Sequence, residues 1–284
     1  MKIIFYAISV NFAIMFMKQM GKIKLLIRYF VYWLRRKGAK GHGIHSPFVY
    51  RFNFNILNSS GKYPEYAELT TYRQSLMANR QTIKVCDMGA GSRVFSSEHR
   101  RVCDIARLSG SSMQTGRMLF RLARSFPAPA IIELGTSLGF GTLCLAKGAP
   151  GGIVYSIEGC GGQLGVARSE LGKREVGNVR LIEGSFTGKL PGVLDLVERA
   201  DLVYFDGDHR EESLLWQYKV CKAKAGQGTI FVIGDIHWSP GMEKAWKTIC
   251  GDQDVSCTID LFYSGLVLFR EGMAKQHYLL RCSG

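Results

Sequence analysis

From residue 130 onward the sequence predicts an α/β fold: a doubly wound, mostly parallel sheet behind a helical N-terminal extension. Three observations carry this reading. Apolar runs of strand length alternate with helical patterns, and that alternation favours a parallel sheet covered by helices on both faces. A glycine-rich turn, with Gly135, Gly139 and Gly141, joins the first of these strands to a helix. Acidic residues then stand at successive strand ends: Glu133, Glu158, Glu183, Asp206 and Asp235.

Residues 3–17, IIFYAISVNFAIMFM, form an apolar run of 15. A spanning helix needs about 20 such residues, and no small-residue cleavage site follows to make the run a signal peptide. A peripheral anchor, a buried first helix and translated sequence upstream of a start at Met17 or Met20 all fit. Next, KQMGKIKLLIRYFVYWLRRKGAK interleaves apolar residues with Lys22, Lys24, Arg28, Arg35, Arg36 and Lys37. This pattern suits a helix lying on an anionic membrane surface, and equally an amphipathic helix packed on the domain with a solvated basic face. The organisation expected is a basic apolar extension over 1–40, a helical cap over 41–125 and the sheet domain over 126–284.

In the cap, Ser46-Pro47 reads as a helix start, and helical segments flank the turn-prone NSSGKYP. His42 and His45 are assigned to a structural turn, since no cysteine or acid stands nearby to complete a metal site. Residues 82–88 form a short strand or extended loop, and Ser96 and Ser97 are expected to cap a helix through EHRRVCDIARLS. SMQTGRMLFRLARSF (112–126) predicts an amphipathic helix ending before Pro127. Strands follow at 130–134, 153–158, 179–183, 201–206 and 229–234, with further strand-like runs at 255–262, 265–270 and 275–281.

Two glycine motifs compete for a ligand. VCDMGAGSRV (85–94) has the acidic-x-Gly-x-Gly pattern, but a poor helix start follows it, and no acidic strand end comes about 20 residues later; it is assigned to a loop, with a lid as its suggested role. IIELGTSLGFGT (131–142) has the helix, and IVYSIEG (153–159) ends in Glu158 where a ribose-binding carboxylate is expected. DLVYFDGDHR (201–210) adds a strand ending in acid, glycine and histidine.

Together these segments resemble a class I S-adenosylmethionine-dependent methyltransferase, of the branch holding the catechol-type and sugar O-methyltransferases, over roughly residues 125 to 284. AKGHGIHSPFVYRF (39–52) and DIHWSPGMEKAW (235–246) resemble a bacterial subgroup of that family, which brings no acceptor with it. The resemblance implies a Rossmann-like sheet of seven strands with an antiparallel final strand. It implies S-adenosylmethionine as cofactor, held by Glu133, Gly135, Thr136, Ser137, Gly139, Glu158, Gly184 and Asp206. Glu158 would take the ribose hydroxyls, which one carboxylate can accept together, and Gly184 would lie beside the adenine.

In cation-dependent relatives the positions of Asp206 and Asp235 are metal ligands, with an asparagine as the third; here Ile236 stands in that place. Two carboxylates can hold Mg²⁺ together with waters, so either His237 or Asp208 substitutes or no metal is bound; no metal ligand is assigned. His209 and His237, at neighbouring strand ends, are the candidate bases, with Asp235 beside them as a third catalytic candidate.

Charge is unevenly distributed. Ten of the 37 basic residues lie within residues 1–51, and the first acid is Glu65; the other 27 basic residues face all 23 acids. The domain is thus nearly balanced, and a nucleic-acid partner is not expected. The eight cysteines include no CxxC pair, which suits reduced thiols and a cytoplasmic protein, with membrane association left to residues 1–40. The expected activity is methyl transfer to a hydroxyl of a small molecule. A non-catalytic methyltransferase-fold binding protein and an RNA methyltransferase are the alternatives. The acceptor and the oligomeric state are not legible.

Overall fold

The computed structural model describes residues 26–36, 43–86, 97–108 and 110–283. The chain divides into two compact units, Met1–Arg36 and Lys37–Gly284. In the first, residues 26–35 are helical, and Leu26, Ile27, Phe30, Trp33 and Leu34 are exposed. The Phe30 and Trp33 rings stack with centroids 6.2 Å apart, and the Arg36 guanidinium lies 5.8 Å from the Trp33 ring. The run at 3–17 and its three readings lie outside the described residues.

The second unit opens with α1 (Pro47–Phe52), capped by Ser46, whose Oγ accepts from Val49 N at 3.3 Å. A π-helical turn, Asn53–Leu57, leads through the Ser59–Gly61 bend to α2 (Glu65–Ala78). Two short strands, β1 (Thr82–Lys84) and β2 (His99–Arg101), pair antiparallel, and α3 (Val102–Leu108) follows. This corrects the expected cap: residues 99–101 are strand, the helix starts at Val102, and Ser97 Oγ accepts from His99 N within the turn before β2. Ser112 does cap α4 (Met113–Ser125), accepting from Thr115 N at 3.1 Å.

The sheet strands are β3 (Ala130–Leu134), β4 (Ile153–Glu158), β5 (Val179–Glu183), β6 (Leu202–Phe205), β7 (Ile230–Gly234), β8 (Cys257–Asp260), β9 (Ser264–Leu268) and β10 (Gln276–Leu279). Helices α5 (Phe140–Gly148), α6 (Gly161–Gly172), α7 (Phe186–Asp195), α8 (Glu211–Lys222) and α9 (Pro240–Gly251) alternate with them. The spatial order is β10-β8-β9-β7-β6-β3-β4-β5. It has one strand more than the seven expected. The antiparallel strand is β9, paired with β7 and β8, whereas the final strand, β10, runs parallel to β8. A tight reversal at Phe262, with φ +72°, turns β8 into β9. The 269–275 connection then steps over β8 to reach the edge.

Central strands bury both faces, as parallel strands between helix layers must. Ile131 points into one core with Leu119, Leu143 and Leu145. Its neighbours Ile132 and Leu134 point into the other, with Phe205, Phe231 and Trp246. Each such side chain contributes about 1.5–3 kcal/mol on burial. Strand order reverses between β3 and β6: the chain winds from β3 to β4 and β5 on one side, then returns to β6 on the other. Open α/β sheets bind ligands at such a switch point, beyond the carboxyl ends of the strands.

Candidate active site

A cavity of about 710 Å³ opens at that switch point. Its floor is the turn between β3 and α5. Gly135 adopts φ +106° and Gly139 φ +81°, conformations that suit glycine. A Cβ on Gly135 would lie 2.7 Å from both N and Cα of Gly207, so the turns after β3 and β6 meet backbone to backbone. Gly141 leaves room for Glu133: a Cβ there would stand 2.6 Å from Glu133 Oε1.

Glu133 is buried and accepts through Oε2 from Thr142 Oγ1 at 2.5 Å and from Ser156 Oγ at 2.6 Å. Burial pushes its carboxyl up to about 8; the two hydroxyls pull the other way, and the charges of Asp206 and Glu158 add to the rise. Thr136, also buried, shares a 2.5 Å hydrogen bond with Ser156.

Glu158, at the end of β4, is held across the turn. Its Oε2 accepts from Ser137 N at 2.8 Å and its Oε1 from Cys160 N at 2.9 Å. Burial raises its pKa and these backbone N–H groups counter that. Gly184, with φ +142°, follows β5 and borders the same cavity.

On the opposite side Asp206 accepts from Tyr204 Oη at 2.6 Å and from Ser111 Oγ at 3.2 Å, both at Oδ2. Burial raises its carboxyl to about 6, with His209 lowering it and Asp235 raising it. Asp235, at φ +52°, anchors its N–H on Tyr263 O at 2.7 Å. His209 Nε2 lies 3.6 Å from Asp235 Oδ2, and its ring centroid is 6.4 Å from that of Trp238. His209, Asp235 and Trp238 all line the cavity.

The structure therefore brings Glu133, Gly135, Thr136, Ser137, Glu158, Gly184, Asp206, His209 and Asp235 around one cavity, with Gly139 at the cap of α5 beneath it. It does not bring His237 there. Nδ1 of His237 pairs with Glu243 at 3.2 Å and Nε2 with Asp260 at 2.9 Å. Both nitrogens are occupied by carboxylates, so the expectation that His237 is a candidate base is corrected.

Asp208 is likewise committed, to Arg210. Ile236 is fully buried, and no group of three or more His, Cys, Asp or Glu among the described residues could hold a metal ion. Asp206 and Asp235 could hold a divalent cation only together with waters. Of VCDMGAGSRV (85–94), only Val85 and Cys86 are described, Cys86 at the cavity wall; residues 87–96 and the lid suggested for this loop lie outside the described residues.

Sequence reasoning missed Ser111, Tyr204 and Arg73. Tyr204 lies two residues before Asp206, hence on the same face of β6, and that spacing could have found it. Ser111 and Arg73, whose Nη1 donates to Ser111 O at 2.5 Å, meet the site only through the packing of α2 and α4.

Residues 132–236 match the family model described as a methyltransferase domain. A catechol O-methyltransferase of Mycobacterium tuberculosis (strain ATCC 25618 / H37Rv) is 31% identical over 127 residues, 44% of this chain and 56% of that protein. The chain thus spans a little over half the length of that relative. Among solved structures, an O-methyltransferase from Bacillus cereus in complex with SAH superposes with a TM-score of 0.52 at 17% identity, over 78% of this chain and 96% of that one. The SAH-bound Podospora anserina methyltransferase PaMTH1 gives 0.56 at 15% identity, over 80% and 97%. TomG, an O-methyltransferase from Streptomyces achromogenes in complex with SAM, gives 0.51 at 17%, over 78% and 95%. The fold is the Rossmann-like α/β fold of these methyltransferases. The likeness in sequence lies within residues 132–236 and the 127 residues shared with the catechol O-methyltransferase, and the likeness to the solved structures, over most of the chain, is one of fold.

Proposed function

We propose that this chain is an S-adenosylmethionine-dependent methyltransferase acting on a hydroxyl group of a small molecule. The observation that carries the reading is the pairing of two halves around one cavity: the glycine turn with Glu133 and Glu158 on one side, and His209 with Asp235 on the other. The first half fits the cofactor. Glycines clear the floor, Glu158 is a half-buried carboxylate able to take two ribose hydroxyls, and Glu133 faces the amino-acid end. When bound, S-adenosylmethionine supplies a methyl group on a sulfonium centre for in-line displacement.

The protein's own part is positioning and one proton. His209 takes the acceptor's hydroxyl proton, and the Asp235 carboxylate, 3.6 Å from Nε2, stabilises the imidazolium that forms. A histidine base in this role contributes about 10²–10⁴-fold, the rest coming from proximity. Asp206, held by Tyr204 and Ser111, fixes the wall between the two halves.

The helix over 26–35 supports a second element, peripheral contact with an anionic membrane. Its exposed apolar side chains accompany Arg28, Arg35 and Arg36, and no acid precedes Glu65. No helix among the described residues is long and apolar enough to cross a membrane.

Calorimetric titration of S-adenosylmethionine into the full chain and into Glu158→Ala tests the cofactor reading. Micromolar binding lost in the variant is expected, and no binding to the unaltered chain would overturn it.

A further inference from the structure

A second cavity, of about 400 Å³, lies apart from the first, between the Ser59–Lys62 bend and one face of α4. Arg117 and Arg121, one helical turn apart on α4, line it together with Ser59, Ser60, Lys62 and Tyr66. Arg121 is 1% exposed. Its Nε donates to Ile56 O at 2.6 Å and its Nη1 to Tyr66 Oη at 3.1 Å, which locks the guanidinium in place. Its Nη2 is buried with no hydrogen-bond partner, and so is Nε of Arg117. The Arg117 guanidinium lies 4.8 Å from the Tyr66 ring centroid, so its plane is also positioned by packing.

A buried guanidinium ordinarily carries a carboxylate partner, because an uncompensated charge out of water is costly. Here the neighbouring carboxylate, Glu65, engages Arg124 through Oε1 at 3.1 Å, and its Oε2 makes no hydrogen bond. Two arginines and Lys62 thus face a recess with an unmet donor on each arginine and two serine hydroxyls at the rim. Arginine forks match the oxygens of carboxylate and phosphate. Three cations exceed what a single carboxylate requires and suit a dianion. The recess is in the size range of small-ligand sites of about 300–1,000 Å³, larger than a bare oxyanion needs.

We propose that this cavity binds a phosphate group, carried on a small soluble monoester, at a site separate from the methyl-transfer cavity. Inorganic phosphate and methyl phosphate, titrated separately into the full chain by calorimetry, provide the test. Saturable binding with a Kd of about 1 mM or tighter is expected. It should weaken about tenfold or more in Arg117→Gln and in Lys62→Ala, and persist in Glu158→Ala, where the larger cavity is altered. Arg121→Met removes a buried anchor and risks the fold; Arg117 and Lys62 are less buried, and thermal melting checks that their variants stay folded. Absence of saturable binding would overturn the proposal. So would binding that is indifferent to both variants, because the anion would then sit elsewhere.

Discussion

Gly135 and Gly207 stand so close that a methyl group on Gly135 would lie 2.7 Å from the Gly207 backbone. Gly135→Ala therefore combines a positive-φ penalty with a clash that only a backbone shift relieves. The expected loss is about 2–4 kcal/mol of stability, together with cofactor binding, read as a lower Tm and a flat calorimetric trace. An alanine variant that melts and binds like the parent would remove the close approach from the account of the site.

Glu133 predicts a pH signature. Its folded pKa of about 8 exceeds the ordinary 4.5, so the fold retains a proton that the unfolded chain releases. The stabilisation is complete below about pH 4.5 and is lost as pH rises through about 8; Asp206, raised to about 6, adds to the slope at lower pH. Glu133→Gln keeps an acceptor for Thr142 and Ser156 without the ionisation. In the absence of cofactor the variant should be the more stable protein at alkaline pH, by about 5 kcal/mol at most. Denaturant melts across pH measure the difference.

The two histidines separate by readout. His209→Gln is expected to lower kcat about 10²–10⁴-fold while leaving S-adenosylmethionine affinity within a few-fold. His237→Gln should act on stability and spare the chemical step. An equal fall in kcat for both would show that the Asp260–His237–Glu243 cluster reaches the reaction after all.

His237 also carries its own pH dependence. Burial by itself would lower its pKa, but the hydrogen bonds and charges of Asp260 and then Glu243 raise it above 6.5. Its contribution is full in acid, below 6.5, and fades as pH rises through the raised folded value. The Tm deficit of His237→Gln should accordingly be largest in acid and shrink as the solution becomes alkaline.

For the helix over 26–35, flotation with phosphatidylglycerol vesicles should recover the protein, and phosphatidylcholine vesicles should not. Replacing Phe30 and Trp33 by alanine is expected to cut recovery about tenfold or more, and raised salt should weaken it further. Equal recovery with neutral vesicles would remove the basic residues from the interaction.

The strand pattern was legible because β3 to β7 are short apolar runs bounded by turn residues, and because acids punctuate their ends. Glu133, Glu158, Asp206 and Asp235 reach one cavity for the reason that parallel strands all end on the same side. What escaped depends on contacts distant in sequence. His237 looks like a base until the β8–β9 hairpin brings Asp260 beside it, 23 residues later. Ser111 sits in a loop with no pattern of its own, and only the docking of α4 carries it to Asp206. The EHRR segment reads as helix by composition, yet residues 99–101 pair with β1. Pairing overrode a local preference there.

Residues 281–283 fold back onto the start of the sheet unit. Arg281 O accepts from Asn58 Nδ2 at 2.9 Å, Ser283 N donates to Asn58 Oδ1 at 3.0 Å, and Cys282, on the cavity wall, donates through Sγ to Leu57 O. These partners are 223 to 225 positions apart. Loop closure of that span contributes little until most of the sheet exists. On a ribosome, the first helices of the unit must therefore wait, incompletely fastened, for nearly all the rest to be synthesised. The wall of the larger cavity cannot be finished before Cys282 has emerged.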